Sequence, residues 1–217
     1  MSNLIDKNDE ELMRLIQKGD FDAFEVLFNR YNNPLINFLY RYTNDLGKSE
    51  DLFQLVFQKV FEKRRTFKGD SSFKTWLYSI AVNSALDMLR KSKKEKGKVS
   101  LDFSASEHFP NIEPLVKVAS PKDELLSDEL KQILEKSLAE IPEEYRAPFI
   151  LARFQDMSYK EIAISIGKTL ATVRMRIHRA HKLLEAKLDK YLNPEETKPM
   201  PTREETRRIS KKNPSHK

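Results

Sequence analysis

The chain has 217 residues, a formal net charge of +6 and a pI near 9.3, which favours a polyanionic partner such as nucleic acid, although charge alone also permits an anionic membrane surface. Cysteine is absent, so disulfides, thiolate metal sites and cysteine nucleophiles are excluded. The first residues are polar, and no apolar run approaches the roughly 20 residues that span a bilayer. We therefore expect a cytoplasmic protein without membrane insertion.

The first part of the sequence predicts four helices. A short helix in DEELMRLIQKG is expected to end at Gly19, because glycine tolerates the left-handed conformation that terminates helices. The next segment, FDAFEVLFNRYNNPLINFLYRYT, contains Pro34, which is expected to kink or split the helix. SEDLFQLVFQKVFEKRRTF carries a further apolar series, and a fourth helix is expected from about Ser72 to Lys94. Together these segments predict one helical unit over residues 1–95.

The composition changes over residues 96–124, which hold three prolines and no sustained periodicity. Connections longer than about 12 to 15 residues without secondary structure are uncommon inside a domain. This stretch is therefore predicted to be a flexible linker between two domains. The last segment, residues 193–217, is rich in proline and charge and is predicted to be a disordered tail.

Residues 125–192 are predicted to form a second helical unit. Pro142 suits the first turn of a helix, whereas Pro148 falls inside that helix and predicts a bend or a later start. SYKEIAISIG is a short helix closed by Gly167, and Thr169 is the expected N-cap of a longer basic helix. Short helix, glycine-containing turn and longer helix make a helix-turn-helix. The predicted fold class is therefore all-α, with two small helical domains joined by a linker.

The basic helix TVRMRIHRAHKLL has one apolar face, formed by Val173, Ile177, Ala180 and Leu184, which is expected to pack on the preceding helix. The second helix of a helix-turn-helix enters the major groove with its N-terminal residues at the base edges. The outward candidates for duplex DNA are Arg174, Met175, His178 and Arg179, with Thr172 suited to a phosphate. An ordinary solvated face is the alternative, since this motif has many false positives.

The segment FKGDSSFKTWLYSIAVNSALDMLRKSKKEK combines aromatic residues with a polar loop and a run of lysines. That combination suits single-stranded nucleic acid, because cations follow the phosphates while rings stack on unpaired bases. Each ring also has a structural interpretation. Phe73 belongs to a candidate core face with Leu77 and Ile80, and Trp76 is equally compatible with burial.

The span from about Asp9 to Leu192 resembles a bacterial RNA polymerase sigma factor of the extracytoplasmic-function (ECF) group. Five blocks carry the resemblance, in the family's order and at its usual spacing: DEELMRLIQKGDFDAFEVLFNRY, DLFQLVFQKVF, FKGDSSFKTWLYSIAVNSALDMLR, IPEEYRAPFILARF and SYKEIAISIGKTLATVRMRIHRAHKLL. One such block would be weak evidence for the family, whereas five in the same order are specific to it. The resemblance implies that residues 1–95 are region two and residues 125–192 are region four.

The resemblance also implies a role for each domain. Region two would bind the clamp helices of the polymerase largest subunit through Asp51, Gln54, Phe57 and Gln58, with plain core packing as the alternative for Phe57. It would capture melted non-template bases of the −10 element through Asp70, Ser71, Ser72, Phe73, Lys74, Trp76, Asn83 and Arg90. Region four would read the −35 element as duplex through Thr172, Arg174, Met175, His178 and Arg179. The linker would thread through the polymerase.

Further partners follow from the same resemblance. The implied partners are core RNA polymerase, including its clamp helices and flap, promoter DNA and an anti-sigma factor. We expect a monomer when free, no cofactor or metal, and association with the nucleoid through the polymerase. The chain departs from the family pattern at Leu55 and Val56, where an acidic residue and threonine are frequent, and at Ser79, where a basic residue is frequent. Met175 and His178 stand at positions where the family's residues vary with promoter sequence. The resemblance therefore does not imply which −35 sequence this chain reads.

Two other classes of protein are alternatives to a sigma factor. A one-component regulator also uses a helix-turn-helix, but it would need a dimerisation or ligand-binding domain in place of the single-strand features. An enzyme with a metal site at His178 and His181 is disfavoured, because no cysteine or carboxylate motif completes the site and neighbouring arginines repel a cation. The chain is therefore expected not to be an enzyme.

Overall fold

A computed structural model describes residues 2–95 and 128–192. The helices are α1 (Ser2–Ile5), α2 (Asp9–Gln17), α3 (Phe21–Thr43), α4 (Leu46–Glu62), α5 (Phe73–Glu95), α6 (Asp128–Ala139), α7 (Glu143–Phe154), α8 (Tyr159–Ser165) and α9 (Leu170–Leu192), with a 3-10 turn at Arg64–Thr66. The described residues contain no strand, so the all-α prediction is confirmed. The predicted linker 96–124 and tail 193–217 lie outside the described residues.

The starts of the helices follow local capping chemistry. The Asn8 side chain accepts from the Glu11 amide at 2.8 Å, and the Glu11 carboxylate accepts from the Asn8 amide at 3.1 Å, which makes a complete capping box for α2. Asp20 and Asp45 cap α3 and α4 by accepting from the amides of Ala23 and Lys48, without a reciprocal bond. Gly19 has a φ of +98°, so the predicted helix stop at this glycine is confirmed.

Three prolines, Pro34, Pro142 and Pro148, were expected to affect where helices begin or break, and the structure differs from part of that expectation. Helix α3 continues through Pro34, so a split there is wrong; buried residues on both sides, Tyr31 and Leu35, hold the two halves in one core. Helix α7 begins at Glu143, so a later start caused by Pro148 is also wrong. Pro142 occupies the N-cap, one position before the first turn, with an extended ψ of 138°.

Aromatic rings fill the core of the first helical group. Phe24, Phe28, Phe53 and Phe57 from α3 and α4 are buried and form a chain of tilted and edge-to-face pairs, with centroids 4.8–5.9 Å apart across the two helices. Such pairs contribute about 0.5 to 1.5 kcal/mol each beyond area burial. Helix α5 packs against α4 and presents its own ring, Phe73, to the same cluster. The rings therefore hold α3, α4 and α5 in fixed relative positions.

The second helical group, α6–α9, packs directly against the first. Helix α8 lies on α5, while α6 and α7 lie on α3. A single buried cluster contains residues of both groups, among them Leu77 and Tyr78 from α5 and Ile150 and Ile162 from α7 and α8. The two groups thus share one apolar core, an arrangement that the sequence analysis does not predict.

Candidate nucleic-acid interfaces

The helix-turn-helix is built by α8, a glycine turn and α9. Ser158 and Glu161 form a capping box at the start of α8, and their hydrogen bond lowers the pKa of the Glu161 carboxyl. Gly167 has a φ of +60°, which turns the chain after α8. The Thr169 hydroxyl accepts from the Thr172 amide at 3.2 Å, which confirms Thr169 as the cap of α9. These local bonds end α8 and begin α9 within a few residues of each other.

The apolar face of α9 packs in two separate clusters. Val173 and Ile177 join the large cluster that contains Ile162 of α8, as predicted. Ala180 and Leu184 instead pack in a second cluster with residues from the end of α6, the turn after it and α7: Leu138, Ile141 and Phe149. Helix α9 is therefore held along its length by three helices rather than by α8 alone.

The opposite face of α9 places most of the duplex-DNA candidates in solvent. Arg174, His178 and Arg179 are exposed, and Met175 is 40% exposed despite its apolar side chain. Arg179 also donates to the Tyr145 hydroxyl at 3.0 Å, which tethers the guanidinium 5.8 Å above the Tyr145 ring. This face can donate hydrogen bonds to phosphates and to acceptor groups on bases.

Thr172 and its neighbours form the rim of a shallow hollow at the start of α9. Thr172 is half-buried, and its hydroxyl lies 2.9 Å from that of Thr169. Lys168, in the turn, is exposed and lines the same hollow, although the sequence analysis did not select it. Its position directly before the cap of a basic helix was the available signal. A lysine here adds positive charge at the end of α9 that already attracts anions.

The single-strand candidates lie on the loop before α5 and along that helix. Asp70 and Ser72 are exposed and Ser71 is half-buried; the Ser72 hydroxyl accepts from the Thr75 amide at 3.2 Å and so caps α5. Glu10, which the sequence analysis missed, accepts from the Phe73 amide at 2.9 Å. This bond ties the loop to α2 and limits the positions that the loop can take.

Two further candidates, Asn83 and Arg90, are exposed two turns apart on α5. Arg90 lies 3.7 Å from the Asp87 carboxylate, an exposed pair that contributes little stability and leaves the guanidinium available. Trp76 is half-buried, with its ring 5.3 Å from Phe67. Part of the Trp76 side chain is therefore accessible beside the loop.

Two aromatic candidates are corrected by the structure. Phe73 is 0% exposed and lies among Tyr31, Phe67 and Trp76, so its ring cannot stack on a base in this conformation. Phe57 is also fully buried, against Phe24 and Phe28, which excludes direct contact with a polymerase surface. Both rings serve the core, the alternative that was open for each.

The remaining clamp candidates are accessible on α4. Asp51 is exposed, while Gln54 and Gln58 are half-buried. The Gln58 amide donates to the Glu62 carboxylate at 3.0 Å, one turn further along the same face. Three polar side chains thus lie at helical spacing on one side of α4.

Lys74 is the candidate whose surroundings differ most from expectation. Its ammonium group donates to the Gln155 carbonyl at 2.5 Å, and Gln155 belongs to the second helical group. This basic side chain is therefore occupied by a contact between the two groups in the described conformation.

The two histidines of α9 do not form a metal site. His181 receives a hydrogen bond from Arg153 at 3.2 Å and packs edge-on to Phe149 at 5.1 Å. Burial and the neighbouring guanidinium lower the pKa of His181. Within residues 2–95 and 128–192, no group of three or more histidine or acidic side chains is placed to hold a metal ion.

None of the helices in the described segments is both long and apolar enough to cross a membrane.

Comparison with known proteins identifies the family. The model of sigma-70 region 2 matches residues 27–95, and that of sigma-70 region 4 matches residues 131–184. The RNA polymerase sigma-H factor of Pseudomonas aeruginosa is 30% identical over 189 residues, covering 87% of this chain and 98% of that protein. The ECF RNA polymerase sigma-E factor of Escherichia coli is 34% identical over 180 residues, covering 83% of this chain and 94% of that protein.

Solved structures share the fold. CnrH, in complex with the cytosolic domain of CnrY, superposes with a TM-score of 0.61 at 21% identity, over 83% of this chain and 97% of CnrH. RpoE of Bartonella quintana, in complex with the anti-sigma factor NepR, gives 0.58 at 24% identity, over 78% and 97% of the two chains. The sequence matches show that the chain belongs to the ECF group of RNA polymerase sigma factors and directs promoter-specific transcription.

Proposed function

We propose that this sigma factor binds core RNA polymerase and reads its promoters at two places, the −35 element as duplex and the −10 element as melted non-template strand. Residues 1–95 would act as region two, residues 125–192 as region four, residues 96–124 as a linker and residues 193–217 as a tail. The observation that carries the proposal is the pair of accessible polar faces on one chain, one on α9 and one on the loop and helix α5.

For the −35 element, the proposal uses the exposed side of α9. A helix in the major groove presents its first turns to the base edges, and arginine donates in pairs to guanine while apolar groups contact the thymine methyl. Arg174, His178 and Arg179 supply donors, and the exposed Met175 supplies an apolar contact. Thr172 and Lys168 lie at the helix start, where a backbone phosphate is favoured.

For the −10 element, the proposal uses the loop before α5 and the accessible side of that helix. Asp70, Ser71 and Ser72 offer acceptors and hydroxyls to the edge of an unpaired base, and the accessible part of the half-buried Trp76 side chain offers an aromatic contact to that base. Asn83 and Arg90 would follow the strand, and Lys74 would join them once released from Gln155. Phe73 supports this surface from beneath.

For polymerase binding, we place the contact on the polar side of α4, at Asp51, Gln54 and Gln58. The polymerase carries the chemistry, so the chain itself is not an enzyme in this proposal. An anti-sigma factor is an expected partner, since both solved relatives are held in complexes with other proteins and one of those is called an anti-sigma factor. We further propose a cytoplasmic monomer that reaches the nucleoid with the polymerase.

The test is transcription from genomic DNA fragments by core RNA polymerase supplemented with the purified chain. Initiation at discrete sites is expected, and the start sites then define the −35 and −10 sequences. Duplex binding without polymerase association would instead identify a one-component regulator.

A substitution at Asp70 tests the assignment of the loop before α5 to the −10 element. Asp70→Ala should reduce promoter opening, measured as permanganate reactivity of unpaired thymines, and leave polymerase binding unchanged, because Asp70 is exposed and lies in the loop before α5 rather than on α4. Lys18→Ala, an exposed residue after α2, is the control. Normal promoter opening by the Asp70 variant would remove the loop from the −10 site.

A further inference from the structure

Basic side chains from α4 and α5 converge beside the accessible side of α5. Lys59 of α4 is half-buried, and its ammonium group donates to the hydroxyl of Ser84 on α5 at 2.9 Å. Burial lowers the pKa of Lys59, and the charges of Lys63, directly after α4, and Lys91, on α5, lower it as well. Lys59 therefore lies close to one further lysine from each side. We call Lys59, Lys63 and Lys91 the lysine cluster.

Two carboxylates, those of Asp87 and Glu62, face the lysine cluster and offset part of the repulsion that acts on Lys59. Asp87 also lies 3.7 Å from Arg90, so its charge is shared with a fourth cation. Among the described side chains, four basic groups therefore meet two acidic ones at this place. An excess of positive charge on one part of a surface attracts an anionic partner.

The lysine cluster fills a gap in the basic residues of α5. Between Lys74 and Arg90 this helix has no lysine or arginine, over a length of about 24 Å at 1.5 Å per residue. A nucleic-acid strand with phosphates about 3.4 Å apart passes roughly seven of them along that length. Ser84, which holds the Lys59 ammonium, lies inside the gap. Helix α4 thus supplies a cation where α5 has none.

The lysine cluster also borders the side of α5 that we assign to the −10 strand. Asn83 directly precedes Ser84, and Arg90 directly precedes Lys91. Asn83, Arg90 and Lys91 are all exposed. A strand that contacts Asn83 and Arg90 therefore passes beside the lysine cluster.

A purely structural role explains the bond of Lys59 but not the position of its charge. A serine inside a helix can donate to a backbone carbonyl of its own preceding turn, as Ser79 does to Trp76 at 2.7 Å. Ser84 therefore has a partner available without Lys59. A lysine usually packs its hydrocarbon stem and keeps its ammonium group in water. A bound phosphate would offset both the desolvation of this ammonium group and the repulsion within the cluster.

We propose that the lysine cluster binds the phosphate backbone of the non-template strand, with Ser84 holding the central ammonium group of Lys59 in position. The three lysines read no sequence, because phosphate contacts carry no information about the bases. They fix the path of the strand along α5, while the loop before α5 contacts the bases. The identity of the strand rests on the proposed function, whereas phosphate binding rests on the charges and contacts described above.

The salt dependence of binding to single-stranded DNA tests the lysine cluster. A fluorescently labelled oligothymidylate is titrated with the full chain at several sodium chloride concentrations, and binding is followed by anisotropy. For single strands, the slope of log affinity against log salt is about −0.7 for each phosphate neutralised. Replacing one of the three lysines by glutamine should therefore reduce the magnitude of the slope by about 0.7, and replacing all three should reduce it by about 2.

Matched variants separate phosphate binding from general effects of charge. Lys48→Gln removes the same charge from an exposed lysine on the same helix, about 16 Å before Lys59, and should leave the slope unchanged. Lys59→Arg keeps the charge and should keep the slope. If Lys59→Gln lowers the unfolding midpoint, the exposed variants Lys63→Gln and Lys91→Gln decide. The same changes in slope are expected with an oligodeoxyadenylate, because the contacts are to phosphates.

Three results would overturn the proposal: no measurable binding of either oligonucleotide by the wild type, equal slopes for Lys48→Gln and the triple variant, or a change in slope on only one of the two oligonucleotides. An unchanged slope with loss of binding to core polymerase would make the cluster a protein contact instead. The titration needs neither polymerase nor promoter. A reduced slope in a chain that does not initiate transcription would reject the proposed function alone, and an unchanged slope in an active chain would reject the phosphate site alone.

Discussion

Replacement of Phe73 by alanine distinguishes its role in the core from a role in base capture. The side chain is fully buried, and its ring centroid lies 5.3 Å from Tyr31, 6.1 Å from Phe67 and 6.0 Å from Trp76. A buried Phe→Ala change costs about 3 to 5 kcal/mol, and the loss of three aromatic pairs favours the upper half of that range. For a chain of this size the melting temperature should fall by roughly 8 to 20 °C.

Urea unfolding followed by circular dichroism at 222 nm measures this loss without relying on the emission of Trp76, which lies beside the substitution. Asp70→Ala is the matched control from the same loop, because its exposed side chain should change the free energy of unfolding by no more than about 0.5 kcal/mol. An unchanged unfolding midpoint for Phe73→Ala, combined with loss of promoter opening, would refute the core role and restore direct base contact.

Three further predictions concern the second helical group, one of them with a comparison residue in α4. Arg179→Ala should weaken binding to the preferred −35 duplex by about 1 to 3 kcal/mol and relax discrimination at one base pair; equal losses on all duplexes in a binding titration would reduce Arg179 to a phosphate contact. Gly167→Ala should destabilise the protein by about 1 to 2 kcal/mol in thermal unfolding, because φ is +60°. Gly47→Ala, in the first turn of α4, should stabilise it by no more than about 0.5 kcal/mol, since an added Cβ would lie 3.7 Å from the Asp45 carboxylate. The hydrogen bonds with Ser158 lower the pKa of the Glu161 carboxyl, so they stabilise the fold fully above pH 4.5, the ordinary pKa, and are lost as the pH falls through the lowered pKa. The difference in unfolding free energy between wild type and Glu161→Gln should therefore shrink on acidification. A difference that does not change with pH in urea unfolding would contradict this.

The helices and their ends were predictable because the forces that set them are local. A glycine with positive φ or a capping hydroxyl acts within a few residues of its own position, as at Gly19 and Thr169. The apolar stripe of α9 was predictable for the same reason, since helical geometry alone places Val173 and Ile177 on one side. The exposed basic side of the helix follows from that placement.

The roles of individual rings were not predictable from the sequence. An aromatic residue at helical spacing fits a core and a base-stacking surface equally well, so Phe73 and Phe57 were open until their neighbours were known. Partners from other helices decided both positions: Tyr31 of α3 covers Phe73, and Phe24 and Phe28 cover Phe57. The proline in α3 gives a parallel case, since tertiary packing overrides a local preference for a break.

Sequence by itself therefore determined an all-helical chain, a helix-turn-helix with an exposed basic face, and membership of the sigma factor family. Only the tertiary structure decided that the two helical groups pack on each other and that Lys74 is occupied. Gln155 forms hydrogen bonds with Tyr78 and Pro34, which precede it in the chain by 77 and 121 positions. Periodicity and capping report contacts within a few turns, whereas a hydrogen bond across such separations depends on how whole helices are placed.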